Sequence, residues 1–156
     1  MDKMEIGVAL IRKMDRRIHW LGKFDRANNQ IDFVIAHRLE KESWRESIIR
    51  EVAWELDIDR KRDFIVSNMA QLNINLEATL PGQLEPVSVA CAFYNVELYR
   101  KSAIEQIDGN ADLVWLSSSE ICNGVTDNGT PLNPLVVLLN EEADVIQHWE
   151  SDATGE

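Results

Sequence analysis

The chain has few of the residues that disulfide scaffolds and glycine-rich ligand loops require. Its 156 residues include two cysteines, four prolines and seven glycines. Cys91 and Cys122 do not have the spacing of metal ligands, and the N-terminal residues lack a signal-peptide pattern, so we expect reduced thiols and a cytoplasmic location. No apolar run approaches the roughly 18 residues that a membrane span needs, so we expect no membrane partner.

Basic residues are also scarce. Lys and Arg together number 16 against 27 Asp and Glu, which gives a formal net charge of −11. Binding to a phosphate backbone depends on clustered Lys and Arg, so we expect no duplex nucleic acid as a partner. Hydrophobic residues, in contrast, make up 45% of the chain. This is enough for one core, and we expect a single domain over residues 1–150 with a flexible C-terminal tail over 151–156.

Hydrophobic periodicity predicts both strands and helices, which indicates an α/β fold. Strands are predicted at residues 5–13, 17–23, 31–35, 64–66, 72–76 and 87–99. The second and third of these strands are expected to be joined by a turn at residues 27–30, where Asn tolerates the left-handed conformation. Thr130 and Pro131 favour the start of a last helix, whose apolar stripe continues to Ile146.

The most informative stretch is a helix that we expect to begin at Trp44. Ser43 and Glu46 have the spacing of a capping box, which satisfies backbone N–H groups at a helix start. Glu51 and Glu55 lie one turn apart beside the apolar stripe of this helix. Carboxylates at this spacing repel each other on an exposed helix, so the pair favours a divalent cation. In so acidic a chain, the alternative is a pair of solvated surface residues.

Residues 36–58 resemble the box of the Nudix hydrolases. That pattern contains a Gly, a Glu, an Arg-Glu step, a Glu-Glu pair and a second Gly, each separated by a fixed number of residues. The positions that match it are Glu42, Arg50, Glu51, Val52, Glu55 and Ile58. Three positions depart from it: Ala36 and Asp57 replace the two glycines, and Trp54 replaces the first residue of the Glu-Glu pair.

Residues 93–121 resemble a second hallmark of the family. There a long strand leads into a loop, then a short strand that closes on Trp115-Leu116, and then a helix that starts with Ser117. The resemblance therefore covers about residues 5–121. It implies an α/β (α+β) fold, more closely a Nudix-like α/β/α sandwich with a mixed central sheet.

The resemblance also implies a metal site. Glu51, Glu55 and the main-chain carbonyl of Ala36 match the positions that bind Mg²⁺ or Mn²⁺ in the family. A further ligand or base often comes from the segment after the long strand. The acidic residues there are Glu105, Asp108 and Asp112, and Asp108 is our first choice.

Four other residues are candidates for catalysis or substrate binding. In the family, the residue at Arg50 orients a box Glu through a salt bridge, and Glu42 is a further catalytic candidate. For both, a solvent-exposed charge is the alternative. Trp54 could occupy the position of the missing Glu or stack on a ligand, and Arg38 could bind a phosphate or lie exposed in a loop.

Two functions stay open. The resemblance implies metal-dependent hydrolysis of a diphosphate bond in a nucleoside diphosphate linked to another group, with a homodimer as a frequent assembly. The alternative is a catalytically inactive Nudix-fold protein that binds a nucleotide or a protein partner. Glu51 and Glu55 are both kept, which favours the hydrolase.

Overall fold

The computed structural model describes residues 3–15, 17–79 and 83–143. Within these ranges there are eight strands and four helices. The strands are β1 (Lys3–Asp15), β2 (Arg17–Asp25), β3 (Gln30–Asp32), β4 (Val34–His37), β5 (Phe64–Val66), β6 (Leu72–Ala78), β7 (Val87–Leu98) and β8 (Leu113–Ser117). The helices are α1 (Trp44–Leu56), α2 (Lys101–Asp108), α3 (Ser118–Asn123) and α4 (Pro134–Ala143). The chain divides into two compact units, residues 1–10 with 34–100 and residues 11–33 with 101–156.

The first unit is built around β7. Its early half pairs with β6 and its late half with β5, in both cases antiparallel. Val89, Cys91 and Phe93 of β7 are at most 2% exposed, so this strand is buried in the sheet. On the other side of the unit, β4 pairs antiparallel with β1 and places Ala36 opposite Gly7.

Helix α1 begins at Trp44, as the sequence predicts. The hydroxyl of Ser43 accepts a bond from the Glu46 backbone N–H at 3.1 Å, and this caps the first turn. Its apolar stripe is buried, with Ile48 and Val52 fully inaccessible. A Cβ on Gly7 would lie 2.7 Å from Ile48 Cδ1, so the glycine allows the helix to approach β1 closely.

The second unit is built around β2. This strand pairs antiparallel with β3 and with β8, and Trp20 lies opposite Leu116. Trp20 is 2% exposed and belongs to the core of this unit. The helix after β8 starts as predicted: Ser117 and Glu120 form a complete capping box, in which each side chain bonds the backbone N–H of the other.

Three predicted segments were wrong in detail. The strand expected at residues 31–35 is divided at Phe33, because β3 pairs with β2 whereas β4 pairs with β1. Residues expected as a loop after β7 contain α2, whose Ala103 and Ile107 are buried one turn apart. The last helix starts at Pro134, since the Asn133 side chain accepts from the Leu135 N–H at 3.0 Å and caps the helix there.

None of the helices within the described residues combines the length and the apolar character of a membrane span. The predicted continuation of the last helix to Ile146 lies outside the described residues, as does the tail 151–156.

Candidate active site

The candidate site is organised by the guanidinium of Arg50. Its Nε and Nη2 donate to the two carboxylate oxygens of Glu42, at 2.9 and 3.0 Å. Its Nη1 donates to Glu51 Oε2 at 3.0 Å, and Nη2 also donates to the main-chain carbonyl of His37 at 3.0 Å. One side chain therefore connects the end of β4, the segment that precedes α1, and the face of α1 that carries Glu51.

The carboxylate of Glu42 is held from two sides. Besides the paired bonds from Arg50, its Oε1 accepts from the Leu39 backbone N–H at 3.1 Å. The hydrogen bonds from Arg50 lower the pKa of Glu42 below its ordinary value, and the bond from Leu39 acts in the same direction. The same pair raises the pKa of Arg50. Bonds of this kind, with charge on both partners, are stronger than neutral ones.

Glu51 and Glu55 lie one turn apart on α1, and both side chains are half-buried. Ala36 is fully buried in β4, directly before His37, whose carbonyl Arg50 binds. The three predicted metal positions thus belong to neighbouring elements of one unit. Within the described part of the chain, no three His, Cys, Asp or Glu side chains form a group that could hold a metal ion by themselves.

Arg38 is engaged by several partners. Its Nε donates to Glu5 Oε2 at 2.7 Å, and Nη1 donates to the carbonyl of Glu42 at 3.2 Å. Its guanidinium also lies 5.4 Å from the centre of the Trp44 ring, a distance at which a cation is attracted by an indole. Arg38 and Glu5 line a surface cleft of about 470 Å³ together with Lys3, Met4, His37, Leu39 and Glu40.

Trp54 is 79% exposed. The indole therefore does not fill a space inside the protein at the position where the family pattern has a Glu. Trp44 is half-buried in the first turn of the same helix. An aromatic ring as exposed as that of Trp54 is available to a ligand or to another protein.

Asp108 lies in the second unit, at the end of α2. Its Oδ1 accepts from the indole N–H of Trp115 at 2.8 Å and lies 3.8 Å from Lys13 Nζ. Lys13 in turn lies 5.2 Å from the Trp115 ring centre. Asp112 accepts from Arg26 at 2.7 Å. Both carboxylates thus have structural partners in their own unit, and their predicted ligand role stays a prediction.

Sequence reasoning missed Glu5 as part of the site. Its partner Arg38 is 33 positions away, and the two meet because β1 pairs with β4. The alternation of side chains between the two faces of β1 predicts only that Glu5 lies near the end of a strand. An ion pair of this type leaves no spacing signal in a sequence, whereas Arg50 and Glu51 are neighbours in a recognisable pattern.

No protein family model matches the chain, and no curated protein does. Solved structures match over nearly its whole length. An Ap4A hydrolase from C. elegans has a TM-score of 0.58 and 13% identity, over 97% of this chain and 98% of that one. NrtR from Shewanella oneidensis has a TM-score of 0.64 and 12% identity, and the match covers 98% of this chain and 78% of that one. A mutT/nudix family protein from Listeria innocua has a TM-score of 0.58 and 11% identity, and the match covers 95% of this chain and 96% of that one.

NrtR is also matched as a complex with a 27mer DNA. The fold therefore gives no support to our expectation that duplex nucleic acid is excluded, which depends on the net charge alone. Identities of 11–13% establish the fold and leave the activity open. The expected α/β architecture is confirmed, and the chain has the Nudix fold.

Proposed function

We propose that the protein hydrolyses a diphosphate bond in a nucleoside diphosphate linked to another group, with Mg²⁺ or Mn²⁺ as its cofactor. Arg50 provides the main support, because it bonds Glu42, Glu51 and the His37 carbonyl at once. This fixes the orientation of Glu51 beside Glu55. We would not expect an Arg that only lies on a solvated surface to bond two carboxylates and a main-chain carbonyl at once.

The residues present fit a hard divalent cation. Glu51 and Glu55 offer carboxylate oxygens of the kind that Mg²⁺ prefers. Ala36 is fully buried opposite Gly7 in the β1–β4 pair, so its carbonyl would join them only after β4 shifts. Mg²⁺ is commonly bound by one or two carboxylates, with water and substrate phosphates as the remaining ligands. When bound, the ion would neutralise charge on the diphosphate and lower the pKa of a bound water. In a chain with a net charge of −11, it would also offset repulsion of the anionic substrate.

The roles of the side chains follow from their contacts. Glu51 and Glu55 would hold the ion. Arg50 orients Glu51 and keeps Glu42 ionised, which fixes the segment that follows Ala36. Arg38 faces the neighbouring cleft, where its charge would attract a phosphate in competition with Glu5.

The test is a panel of nucleoside diphosphate derivatives with Mg²⁺ or Mn²⁺, in which phosphate or nucleotide release is measured. We expect Glu51→Gln to reduce the rate about 100-fold or more, because the metal supplies several kcal/mol of charge stabilisation. Glu46→Gln is the matched control, since Glu46 is exposed in the first turn of the same helix. Equal rates in these two variants, with both proteins folded, would contradict the proposal.

A second candidate function is binding without hydrolysis. It is favoured by Trp54, an exposed indole where the family pattern has a carboxylate. In that case the wild type binds a nucleotide of the panel, or a protein partner, and releases no product with either metal. A cytoplasmic location remains part of the proposal under both functions.

A further inference from the structure

Strand β6 has a second edge, on the side away from β7. Within the described residues, β7 is the only strand that pairs with Leu72–Ala78. An open edge presents unpaired backbone N–H and C=O groups, and proteins usually protect such edges with Lys, Pro, a bulge or a very short strand. The sequence of β6, LNINLEA, is seven residues long and contains neither Lys nor Pro. The strand therefore lacks the Lys, the Pro and the very short length that protect such edges.

The side chains of β6 are divided cleanly between two faces. Leu72, Ile74 and Leu76 are half-buried, whereas Asn73, Asn75 and Glu77 are exposed. Glu77 is the only charged residue of the strand. In a chain with a net charge of −11, this stretch carries little of the repulsion that would keep two copies apart.

Two exposed apolar residues flank the strand at its opposite ends. Met69, three residues before β6, is 80% exposed, and its carbonyl is fixed by the Ser67 hydroxyl at 2.9 Å. Leu84, three residues before β7, is 100% exposed. Ala78 pairs with Val87, so Leu84 lies within a few residues of the C-terminal end of β6.

We propose that the β6 edge pairs antiparallel with the β6 edge of a second copy of this chain, centred on Asn75. This register aligns the two strands over their full length and is self-complementary. Asn75 faces Asn75 of the second copy, and each Asn73 faces a Glu77. On the other face, Ile74 lies opposite Leu76, which extends the apolar layer across the contact.

The same two-fold arrangement accounts for the flanking residues. In an antiparallel pair, the N-terminal end of one strand lies beside the C-terminal end of the other. Met69 of each copy therefore approaches Leu84 of the other, and both of these exposed apolar side chains become covered. A strand from an unrelated protein would have to supply this complementarity, whereas a second copy supplies it by symmetry.

Two lysine substitutions on the same exposed face of β6 test the register. In Asn75→Lys, the two new charges oppose each other across the axis, so we expect the Kd of the dimer to rise about tenfold or more. In Asn73→Lys, each new charge faces Glu77 of the second copy, so we expect the Kd to fall about threefold or more. Asn123→Lys, at an exposed position of the second unit, should leave the Kd unchanged.

The measurement is sedimentation equilibrium of the full chain over a concentration series, with circular dichroism to establish that each variant is folded. The proposal predicts a wild-type species of twice the chain mass at the upper concentrations, and opposite effects of the two β6 substitutions. A monomeric wild type overturns it. A dimer whose Kd changes in the same direction, or not at all, in both β6 variants overturns it as well.

Discussion

At the scale of single residues, Arg50 fixes the segment between β4 and α1. Its five donors are suited to planar carboxylates, and the paired contact to Glu42 uses this geometry. Lys in its place would keep the charge and lose the paired contact. The Arg50 side chain is 36% exposed and that of Glu42 is 15% exposed, so water screens their attraction only in part.

The Glu42–Arg50 pair predicts a pH-dependent contribution to stability. The ordinary pKa of Glu42 is 4.5, and hydrogen bonds from Arg50 lower it in the folded protein. Near and below that value the unfolded chain binds more protons at this carboxyl than the folded one does. The stabilisation is therefore present above the unfolded-state pKa and is lost as the pH falls through the lowered pKa of the folded state.

We accordingly expect Glu42→Gln to reduce the free energy of unfolding at pH 7 by about 1–2 kcal/mol. Urea denaturation of the variant and the wild type at a series of pH values measures this difference. It should shrink as the pH falls below about 4.5, because there the unfolded wild-type chain takes up a proton at Glu42 before the folded protein does. Glu40→Gln, two residues away and exposed, is the control and should show no such dependence. A difference that is the same at every pH would rule out the ion pair as its cause.

At the scale of elements, α1 presents one apolar face to the sheet and one carboxylate-bearing edge. Trp54 lies on its exposed side, so Trp54→Glu removes little buried surface and should cost less than about 1 kcal/mol of stability. The new carboxylate would lie beside Glu51 and Glu55. We expect millimolar Mn²⁺ to raise the melting temperature of this variant more than that of the wild type, because the ion relieves the added repulsion.

The matched control for this helix is Trp54→Gln, which removes the indole without adding charge. Its melting temperature should respond to Mn²⁺ as that of the wild type does. If the three proteins show the same Mn²⁺ response in differential scanning calorimetry, a carboxylate at position 54 does not join Glu51 and Glu55 in binding the ion.

The elements also show which features a sequence can predict. The start of α1 at Trp44 follows from a local cap, and β7 follows from a long apolar run, so both were predicted correctly. The division at Phe33 was not predicted, because a change of pairing partner alters no residue pattern. Helix α2 was missed because its buried stripe has only Ala103 and Ile107. In the site, the Arg50 contacts follow from spacing, whereas the Glu5–Arg38 pair depends on strand pairing.

At the scale of the whole molecule, the two thiols report on the integrity of the fold. Cys91 is 2% exposed in β7, and burial raises its pKa to about 12. Cys122 is exposed in α3. Since the thiolate is the reactive form, we expect a disulfide reagent at pH 8 to modify Cys122 rapidly and Cys91 only when the protein opens.

Absorbance of the released thiol measures this directly: one equivalent in the native protein and two in denaturant. Cys122→Ser should abolish the rapid phase and leave the slow one. Two rapid equivalents in the native wild type would contradict the buried position of β7.

Asp57 shows how this fold persists at identities near 12%. The residue ends α1 with φ 53° and ψ 50°, and its N–H bonds the Ala53 carbonyl. The family pattern has Gly here because that conformation strains most side chains, but a short polar side chain such as Asp adopts it at moderate cost. In this chain, Asp therefore ends the helix in the left-handed conformation that favours Gly. A residue pattern that requires Gly at this position would therefore exclude a helix end that this chain forms with Asp.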